Sequence, residues 1–264
     1  MNVSKVMARL PVLIFGIPLS YAILVLADEW VRVSFLGIVA LIGQFELCKL
    51  IDKDSNRKPF PEWIGGLTIM ISSHLYGERA LFISFSLMIC AGMVFTVLRG
   101  LRGDGRRRFC HISFSLYYLP FCLSCFELFA KSTGGLSLFI ILASIWALDI
   151  GAYVFGMSFR GPKLAPKISP NKTISGAIGG ALSCIVFLYL MKHCAFLTMT
   201  ETKFWILAIS IALIGQLSDL FESILKRESE VKDSGALLGS HGGVLDRIDS
   251  VLFLGPVCYA ILIM

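Results

Sequence analysis

Long apolar runs separated by short polar loops are the main pattern of this sequence. Nine runs are bounded by charged or loop-forming residues, and most approach the length of about 20 residues that a bilayer-spanning helix needs. The first run is longer than the apolar core of a usual signal peptide, so we interpret it as a span. The nine runs are residues 10–27, 32–47, 63–76, 80–98, 111–130, 136–156, 174–197, 204–225 and 248–264. The pattern predicts an all-α fold: a polytopic integral membrane protein with about nine transmembrane helices.

The composition indicates the same class. The chain has 264 residues, of which 56% are hydrophobic and 16% are charged, and its mean hydropathy is +0.78. Soluble domains carry about a quarter charged residues. No segment is polar enough for a separate soluble domain, so residues 1–264 are predicted to form a single membrane domain. Cys122 and Cys125 lie within an apolar run, and we interpret them as packed small side chains, without a redox or metal role.

Lys and Arg residues are distributed unevenly between alternate loops. If the N-terminus is cytoplasmic and all nine runs cross the bilayer, 19 of the 24 Lys and Arg residues lie on the cytoplasmic side and five on the other. This distribution follows the positive-inside rule. The Arg-rich loop at residues 99–108 fits a topology signal that also touches anionic headgroups. The charge distribution therefore predicts that the loops with most of the Lys and Arg residues face the cytoplasm.

Polar chemistry is concentrated in residues 223–249, between the last two apolar runs. These 27 residues hold ten ionisable side chains. In a helix that ends the eighth run, Asp219, Glu222, Ser223 and Lys226 stand at i, i+3, i+4 and i+7 and share one face. Two acids, a hydroxyl and an ammonium group are thus predicted to line one side of a helix bundle.

A second polar segment, residues 149–176, follows the sixth run. It begins with Asp149 and contains a loop broken by Gly and Pro. Cationic side chains with hydroxyls and free backbone amides are suited to holding phosphates. A role as a topology signal alone is the alternative. The candidate groups of this loop are Arg160, Lys163, Lys167, Ser169, Lys172 and Thr173.

Both segments resemble one enzyme family. The pattern S-x-x-K-R-x4-K-D-x-G-x2-L-G-x-H-G-G-x-x-D-R-x-D over residues 223–249 is similar to the signature of the phosphatidate cytidylyltransferases, or CDP-diacylglycerol synthases. Residues 149–176 are similar to a second region of that family, D-x-G-A-Y-x-x-G followed by S-P-K-K-T-x-E-G. This chain has Asn171 and Ser175 where the family usually has Lys and Glu. The resemblance covers residues 131–264, the predicted catalytic half, and leaves the spans of residues 1–130 without an assigned role.

The resemblance implies an integral membrane enzyme that joins CTP and phosphatidic acid to give CDP-diacylglycerol and pyrophosphate with Mg²⁺. The resemblance leaves open whether one or two metal ions bind. The implied partners are CTP, phosphatidic acid and the lipid bilayer, with no nucleic acid, and a homodimer is one open oligomeric state. The expected location is the inner membrane of a bacterium, with the N-terminus and the active site on the cytoplasmic side.

The reaction needs groups that neutralise and align two phosphate-bearing substrates. Asp219 and Asp246 are the first choice for metal ligands, with Asp249 and Asp149 as supports, because Mg²⁺ prefers carboxylate oxygens. A salt bridge from Asp219 to Lys226 or Arg247 is the alternative for Asp219. For Asp249 the alternative is an N-terminal cap of the last span.

Cations and hydroxyls of the same segment complete the predicted site. Ser223 is expected to orient a phosphate or a metal-bound water, because no adjacent base would activate it as a nucleophile. Asp219, Asp246, Ser223, Lys226 and Arg247 are the predicted catalytic set. The predicted substrate-binding set is Lys163, Lys167, Ser169, Lys172, Thr173, Arg227, Lys232, His241, Gly242 and Gly243. The His-Gly-Gly turn lets bare backbone approach a phosphate. Glu46 and Glu127 are isolated in the sequence and are interpreted as packed, paired or protonated groups without a catalytic role.

Two other functions are open from the sequence. A transporter also has intramembrane acids and broken helices, but its acids belong near mid-membrane, whereas these gather at one interface. A CTP-dependent kinase of a long-chain alcohol shares the nucleotide and the membrane. It differs because it releases CDP instead of attaching it to the lipid.

Overall fold

The computed structural model describes residues 10–51, 58–98, 105–237, 239 and 242–264. Almost all of this part of the chain is helical, so the predicted all-α class is confirmed. Its helices are α1 Leu10–Tyr21, α2 Glu29–Ile51, α3 Phe60–Tyr76, α4 Glu78–Leu98, α5 Gly105–Leu116, α6 Cys122–Thr133, α7 Gly135–Phe159, α8 Ile174–His193, α9 Glu201–Glu228, α10 Leu245–Leu252 and α11 Leu254–Ile263. Short π-helical turns, Ala22–Leu26 and Tyr117–Phe121, extend α1 and join α5 to α6.

The predicted number of nine spans is not confirmed. Within the described residues, six helices are long and apolar enough to cross a membrane. They are Glu29–Ile51, Glu78–Leu98, Gly105–Thr133, Gly135–Phe159, Ile174–His193 and Glu201–Glu228.

The three remaining runs form shorter helices. Helix α1 with its π-helical extension runs from Leu10 to Leu26, and α3 has 17 residues. The last run is divided at Phe253 into helices of 8 and 10 residues. Pro256 explains this division, because its ring has no N–H for the carbonyl of Leu252 and collides with it.

A two-stranded antiparallel hairpin connects α7 to α8. Its strands are β1 Lys163–Ala165 and β2 Ser169–Thr173, and Lys163 pairs with Thr173. Thr173 then caps α8, because its Oγ1 accepts a hydrogen bond of 3.1 Å from the N–H of Gly176. A Cβ on Gly176 would lie 2.7 Å from the carbonyl oxygen of Ala152. The two helices therefore pack closely at the base of the hairpin.

The bundle has a packed interior and an apolar outer surface. Tyr118, Phe129 and Phe204 are fully buried. Large apolar side chains are exposed on the long helices, among them Ile38, Leu87, Ile150, Val186 and Leu213. Such exposure is costly in water and normal in lipid. This surface agrees with a protein that is integral to a membrane.

A buried ionic cluster joins α2, α3 and α6. Arg32 donates to both carboxylate oxygens of Glu127, at 2.7 and 3.1 Å, and both residues are buried. The Nδ1 atom of His74 lies 3.4 Å from the same carboxylate. Lys131 donates to the carbonyl of His74 at 2.8 Å and lies 3.3 Å from Glu29. Glu127 is thus a paired structural acid.

Breaking the Arg32–Glu127 pair tests its structural role. In Glu127→Gln the guanidinium stays buried without its counter-ion, and we expect a loss of about 3–5 kcal/mol in the free energy of unfolding. In the double variant Arg32→Met, Glu127→Leu no charge is left uncompensated, so its loss should be smaller. Unfolding in detergent, followed by denaturant titration, measures both. A double variant that is less stable than Glu127→Gln would contradict this account.

Candidate active site

A cavity of about 850 Å³ lies where α7, α8, α9 and the hairpin meet. Residues of the polar segment 149–176 line it together with Gly215, Gln216 and Asp219 of α9. Five of the predicted site residues line it: Asp149, Lys163, Lys172, Thr173 and Asp219. Asn171, one of the two positions that depart from the family pattern, also lines it. The structure thus brings together residues that are up to 70 positions apart in the chain.

Asp219 and Lys172 form an ion pair within this cavity. Asp219 belongs to α9 and Lys172 to β2, and their side chains are 28% and 30% exposed. The sequence analysis gave Lys226 or Arg247 as the ion-pair alternative for Asp219, and Lys172 takes that place. The pair joins the hairpin to α9.

Three of the four predicted metal ligands are close enough to repel one another electrostatically. Asp219 acts in this way on both Asp149 and Asp249. Lys172 attenuates the repulsion at Asp149. The three carboxylates therefore share one neighbourhood, and each makes the ionised form of the others less favourable.

Asp246, the fourth predicted ligand, is held by four donors. Its Oδ1 accepts from Lys226 at 2.8 Å. Its Oδ2 accepts from the N–H of Ser234 at 2.8 Å, from the hydroxyl of Ser234 at 2.9 Å and from the N–H of Gly243 at 2.8 Å. Burial raises the pKa of Asp246, but these hydrogen bonds outweigh it, so the pKa lies below its usual value. The carboxylate is therefore ionised at neutral pH, and its stabilising bonds are lost only as the pH falls through that lowered pKa.

Lys226 connects Asp246 to a second acid. Its ammonium group donates to both Asp246 and Glu222, which places α9 against α10. Glu222 is fully buried, and its Oε1 has no hydrogen-bond donor among the described residues. Its carboxyl group also faces that of Asp249. The sequence placed Glu222 on the polar face of α9 but gave it no role, and it is a member of the acidic cluster.

Asp249 does not cap the last span. It lies in the second turn of α10, where the capping residue is Val244. Its Oδ1 accepts from the N–H of Ser250 at 2.6 Å and from the hydroxyl of Ser250 at 3.0 Å. The hydroxyl of Ser218 donates to its carbonyl oxygen. Asp246 was also predicted to precede the last helix and lies instead in its first turn.

The two glycines of the predicted His-Gly-Gly turn lie against carboxylates. Gly242 has a φ of +78°, and a Cβ there would be 2.6 Å from Oδ2 of Asp246. A Cβ on Gly243 would be 2.6 Å from both oxygens of Glu46. The absence of side chains therefore lets two acids approach this backbone. Contact of the turn with a phosphate stays a prediction, and His241 lies outside the described residues.

The other predicted groups differ in their exposure to solvent. Ser223 is half-buried on α9, and Ser169 is half-buried in the hairpin. The Nε of Arg227 donates to the carbonyl of Ile168 at 3.2 Å, which ties α9 to the hairpin. Thr173 is already engaged as a helix cap. The exposed cations of the predicted set are Lys163, Lys167, Arg227, Lys232 and Arg247.

An apolar groove of about 640 Å³ lies beside the polar cavity. It runs between α9 and α11 and reaches Ile168 of the hairpin, with Leu217, Phe221 and Val257 in its walls. Ser218 lines this groove, whereas the next residue, Asp219, lines the polar cavity. Helix α9 thus separates a polar space from an apolar one.

The acidic cluster holds more carboxyl groups than cations. Its carboxyl groups belong to Asp149, Asp219, Glu222, Asp246 and Asp249, and the cations in direct contact with it are Lys172 and Lys226. The acids therefore outnumber these lysines, and the Oε1 of Glu222 is buried without a donor in the described region. Carboxylate oxygens are the ligands that Mg²⁺ prefers.

Comparison with known proteins gives consistent matches. The profile of the cytidylyltransferase family matches residues 7–264. A phosphatidate cytidylyltransferase of Thermotoga maritima is 31% identical over 239 residues, which are 86% of this chain and 87% of that protein. One of Bacillus subtilis is 39% identical over 153 residues, 57% of each chain. One of Haemophilus influenzae is 45% identical over 123 residues, 45% of this chain and 43% of that protein. The last two matches cover about half of those relatives.

Proposed function

The chain belongs to the cytidylyltransferase family, and from this premise we propose that it transfers CMP from CTP to phosphatidic acid. The products are CDP-diacylglycerol and pyrophosphate. The observation that carries the proposal is the juxtaposition of a polar cavity, which contains acids and lysines, with an apolar groove on the other side of α9. The phosphates of the substrates require the polar cavity, and the acyl chains of the lipid require the apolar groove. Relatives that bear the name phosphatidate cytidylyltransferase support the same substrates.

The proposed transfer is a direct displacement. An oxygen of the lipid phosphate forms a bond to the α-phosphorus of CTP, and the bond from that phosphorus to the oxygen bridging the α- and β-phosphates breaks. Pyrophosphate leaves with that oxygen. The lipid phosphate is already ionised near pH 7, so no protein nucleophile is needed. The main barrier is repulsion between negatively charged groups, which cations around the phosphates reduce.

Lys172 and Lys226 are suited to this task. Each ammonium group contacts a carboxylate of the cluster, Asp219 and Asp246 respectively. We propose that phosphate oxygens of the substrates share these ammonium groups. The Nε of Arg227 donates a hydrogen bond to the carbonyl of Ile168 in the hairpin. This bond keeps β2, and therefore Lys172, next to α9. Exposed Lys163, which also lines the cavity, extends the cationic surface toward solvent.

Asp219 and Asp246 would hold Mg²⁺, with Asp249 and Asp149 as supports. When bound, the ion supplies positive charge and alignment for the phosphate oxygens. The donors on Oδ2 of Asp246 orient this carboxylate, so that Oδ1 points toward α9. Well-oriented ligands lose little freedom when a cation binds, which is the advantage of a preorganised site. A second metal ion is compatible with the number of acids.

We also propose that this site faces the cytoplasm of a bacterial cell and that the protein lies in its inner membrane. CTP is a cytoplasmic metabolite, and with a cytoplasmic N-terminus and nine spans, 19 of the 24 Lys and Arg residues would lie on the cytoplasmic side. The hairpin between α7 and α8 and the loop between α9 and α10 belong to that side. Bacterial relatives support the location.

Product analysis tests the function and the metal ligands together. Purified protein is mixed with labelled CTP, Mg²⁺ and phosphatidic acid, and we expect label in the lipid phase together with free pyrophosphate. Asp219→Asn and Asp246→Asn each remove a metal charge at nearly constant size, so turnover should fall about a hundredfold or more. Glu201→Gln is the control, since Glu201 is exposed on the far end of α9. Release of CDP without labelled lipid would instead indicate a kinase, and near-normal turnover of either Asn variant at saturating Mg²⁺ would contradict the ligand assignment.

Ser223 is predicted to orient a phosphate or a metal-bound water. Ser223→Ala should lose one hydrogen bond to a charged group, roughly 1.5–3 kcal/mol, which lowers turnover about ten- to two-hundredfold. Ser210→Ala is a matched control, because Ser210 lies 13 residues earlier on the same helix, about 20 Å away. A search for label bound to the protein after mixing with CTP alone accompanies the assay. Label on Ser223 that passes into lipid when phosphatidic acid is added would replace direct transfer by a two-step mechanism.

The orientation of the loop between α9 and α10 can be tested by thiol labelling. Leu237 is 64% exposed in this loop, and Leu237→Cys, in an active background without the eight native cysteines, should react with an impermeant reagent only when the cytoplasmic side is accessible. Thr198→Cys, in the exposed connection between α8 and α9, is the control and should react in intact cells. The reverse pattern would overturn the proposed topology.

A further inference from the structure

Glu46 of α2 lies at the beginning of α10, the helix that carries two of the predicted metal ligands. It is 4% exposed. Its Oε1 accepts a hydrogen bond of 3.1 Å from the N–H of Val244, and its Oε2 accepts one of 2.8 Å from the N–H of Leu245. From the sequence, Glu46 was predicted to be a packed, paired or protonated acid without a catalytic role, and Val244 lies 198 residues away from it.

These two bonds replace a missing helix cap. The first N–H groups of a helix have no partner within the helix. The capping position of α10 is occupied by Val244, whose apolar side chain makes no capping hydrogen bond. A carboxylate from α2 therefore takes the place of the usual capping side chain, and its negative charge is favourable at a helix N-terminus.

Glu46 and Asp246 together bind three consecutive backbone N–H groups. Gly243 donates to Asp246, and the next two residues, Val244 and Leu245, donate to Glu46. The preceding loop is folded tightly around the Glu46 carboxylate, because a Cβ on Gly235 would lie 2.4 Å from its Oε1. A shift of Glu46 would therefore displace the backbone that orients the Asp246 side chain.

Helix α2 also contacts α9, the other helix with predicted ligands. The hydroxyl of Ser229, at the end of α9, donates a hydrogen bond of 2.6 Å to the carbonyl of Leu50. Leu50 lies one turn after Glu46 on α2. The C-terminal turns of α2 are thus in contact with the ends of both helices whose acids form the cluster.

We propose that Glu46 is a positioning residue for the transfer reaction: by capping α10 it sets the position of Asp246 relative to Lys226 and Asp219. This role rests on the proposed function of the site. Glu46 contacts the backbone of α10 and its preceding loop, so its effect reaches the reaction through that backbone. Its loss should lower the rate of the chemical step more than the affinity for substrate.

The variant Glu46→Gln keeps the size of the side chain but replaces one accepting oxygen by an NH₂ group that faces a backbone N–H. We expect kcat to fall about ten- to hundredfold, the effect of one lost hydrogen bond to a charged group, with KM for phosphatidic acid changed less than about threefold. Glu46→Asp keeps the charge and should recover part of kcat. Hydrogen–deuterium exchange without substrates should become faster in residues 242–252 of Glu46→Gln.

Glu127→Gln is the matched control, since it removes another buried carboxylate that contacts α2. Its partner Arg32 is 14 residues before Glu46 on α2, about 21 Å along the helix axis. This variant should lose thermal stability but keep kcat at temperatures where it is folded, with unchanged exchange in residues 242–252.

Three results would overturn the positioning role. They are an unchanged kcat in Glu46→Gln, unchanged exchange in residues 242–252 of that variant, and an equal loss of kcat in Glu127→Gln at equal loss of stability. The exchange measurement does not depend on the identity of the reaction. If wild-type protein forms no labelled lipid while exchange still responds to Glu46, the proposed function fails and the capping contact stands.

Discussion

A carboxylate that is buried within a membrane protein must be surrounded by donors or cations, because an uncompensated charge there costs several kcal/mol. Asp246 shows how far this requirement shapes the structure. Its donors come from α9, from the loop before α10 and from the turn at Gly243. The path of that loop is therefore determined by the hydrogen-bonding demand of one side chain. Glu46 imposes the same demand on the next two backbone amides.

The acids of the cluster outnumber the lysines that contact them, and this imbalance has a chemical consequence. Lys172 and Lys226 are each already paired with a carboxylate. Under the proposed function, phosphate oxygens of the substrates compete for these ammonium groups, and the carboxylates that lose their lysines would hold Mg²⁺. The two lysines are then paired with carboxylates in the empty protein and with phosphates in the substrate complex.

The sequence predicts the helical part of this structure well because long apolar runs require hydrogen-bonded backbone in a membrane. The run at residues 204–225 becomes α9, Glu201–Glu228, with three further residues at each end. The last run is less regular because Pro256 interrupts the hydrogen bonds of one turn. Part of the cavity could also be anticipated, since its predicted polar groups belong to residues 149–176 and to Asp219. The individual pairs could not, because the partner of Asp219 lies 47 residues away and depends on how the hairpin folds back.

The contact between α2 and α10 limits how freely parts of this chain can be exchanged. All motif residues lie after residue 148, so a chimera that joins this C-terminal portion to the N-terminal helices of a relative looks feasible from the motifs alone. The amides of Val244 and Leu245 would then meet whatever residue the donor places at the position of Glu46. An apolar side chain there leaves both amides without an acceptor, at about 1–3 kcal/mol each. The helices before the motifs are thus inherited together with the active site and are not an interchangeable anchor.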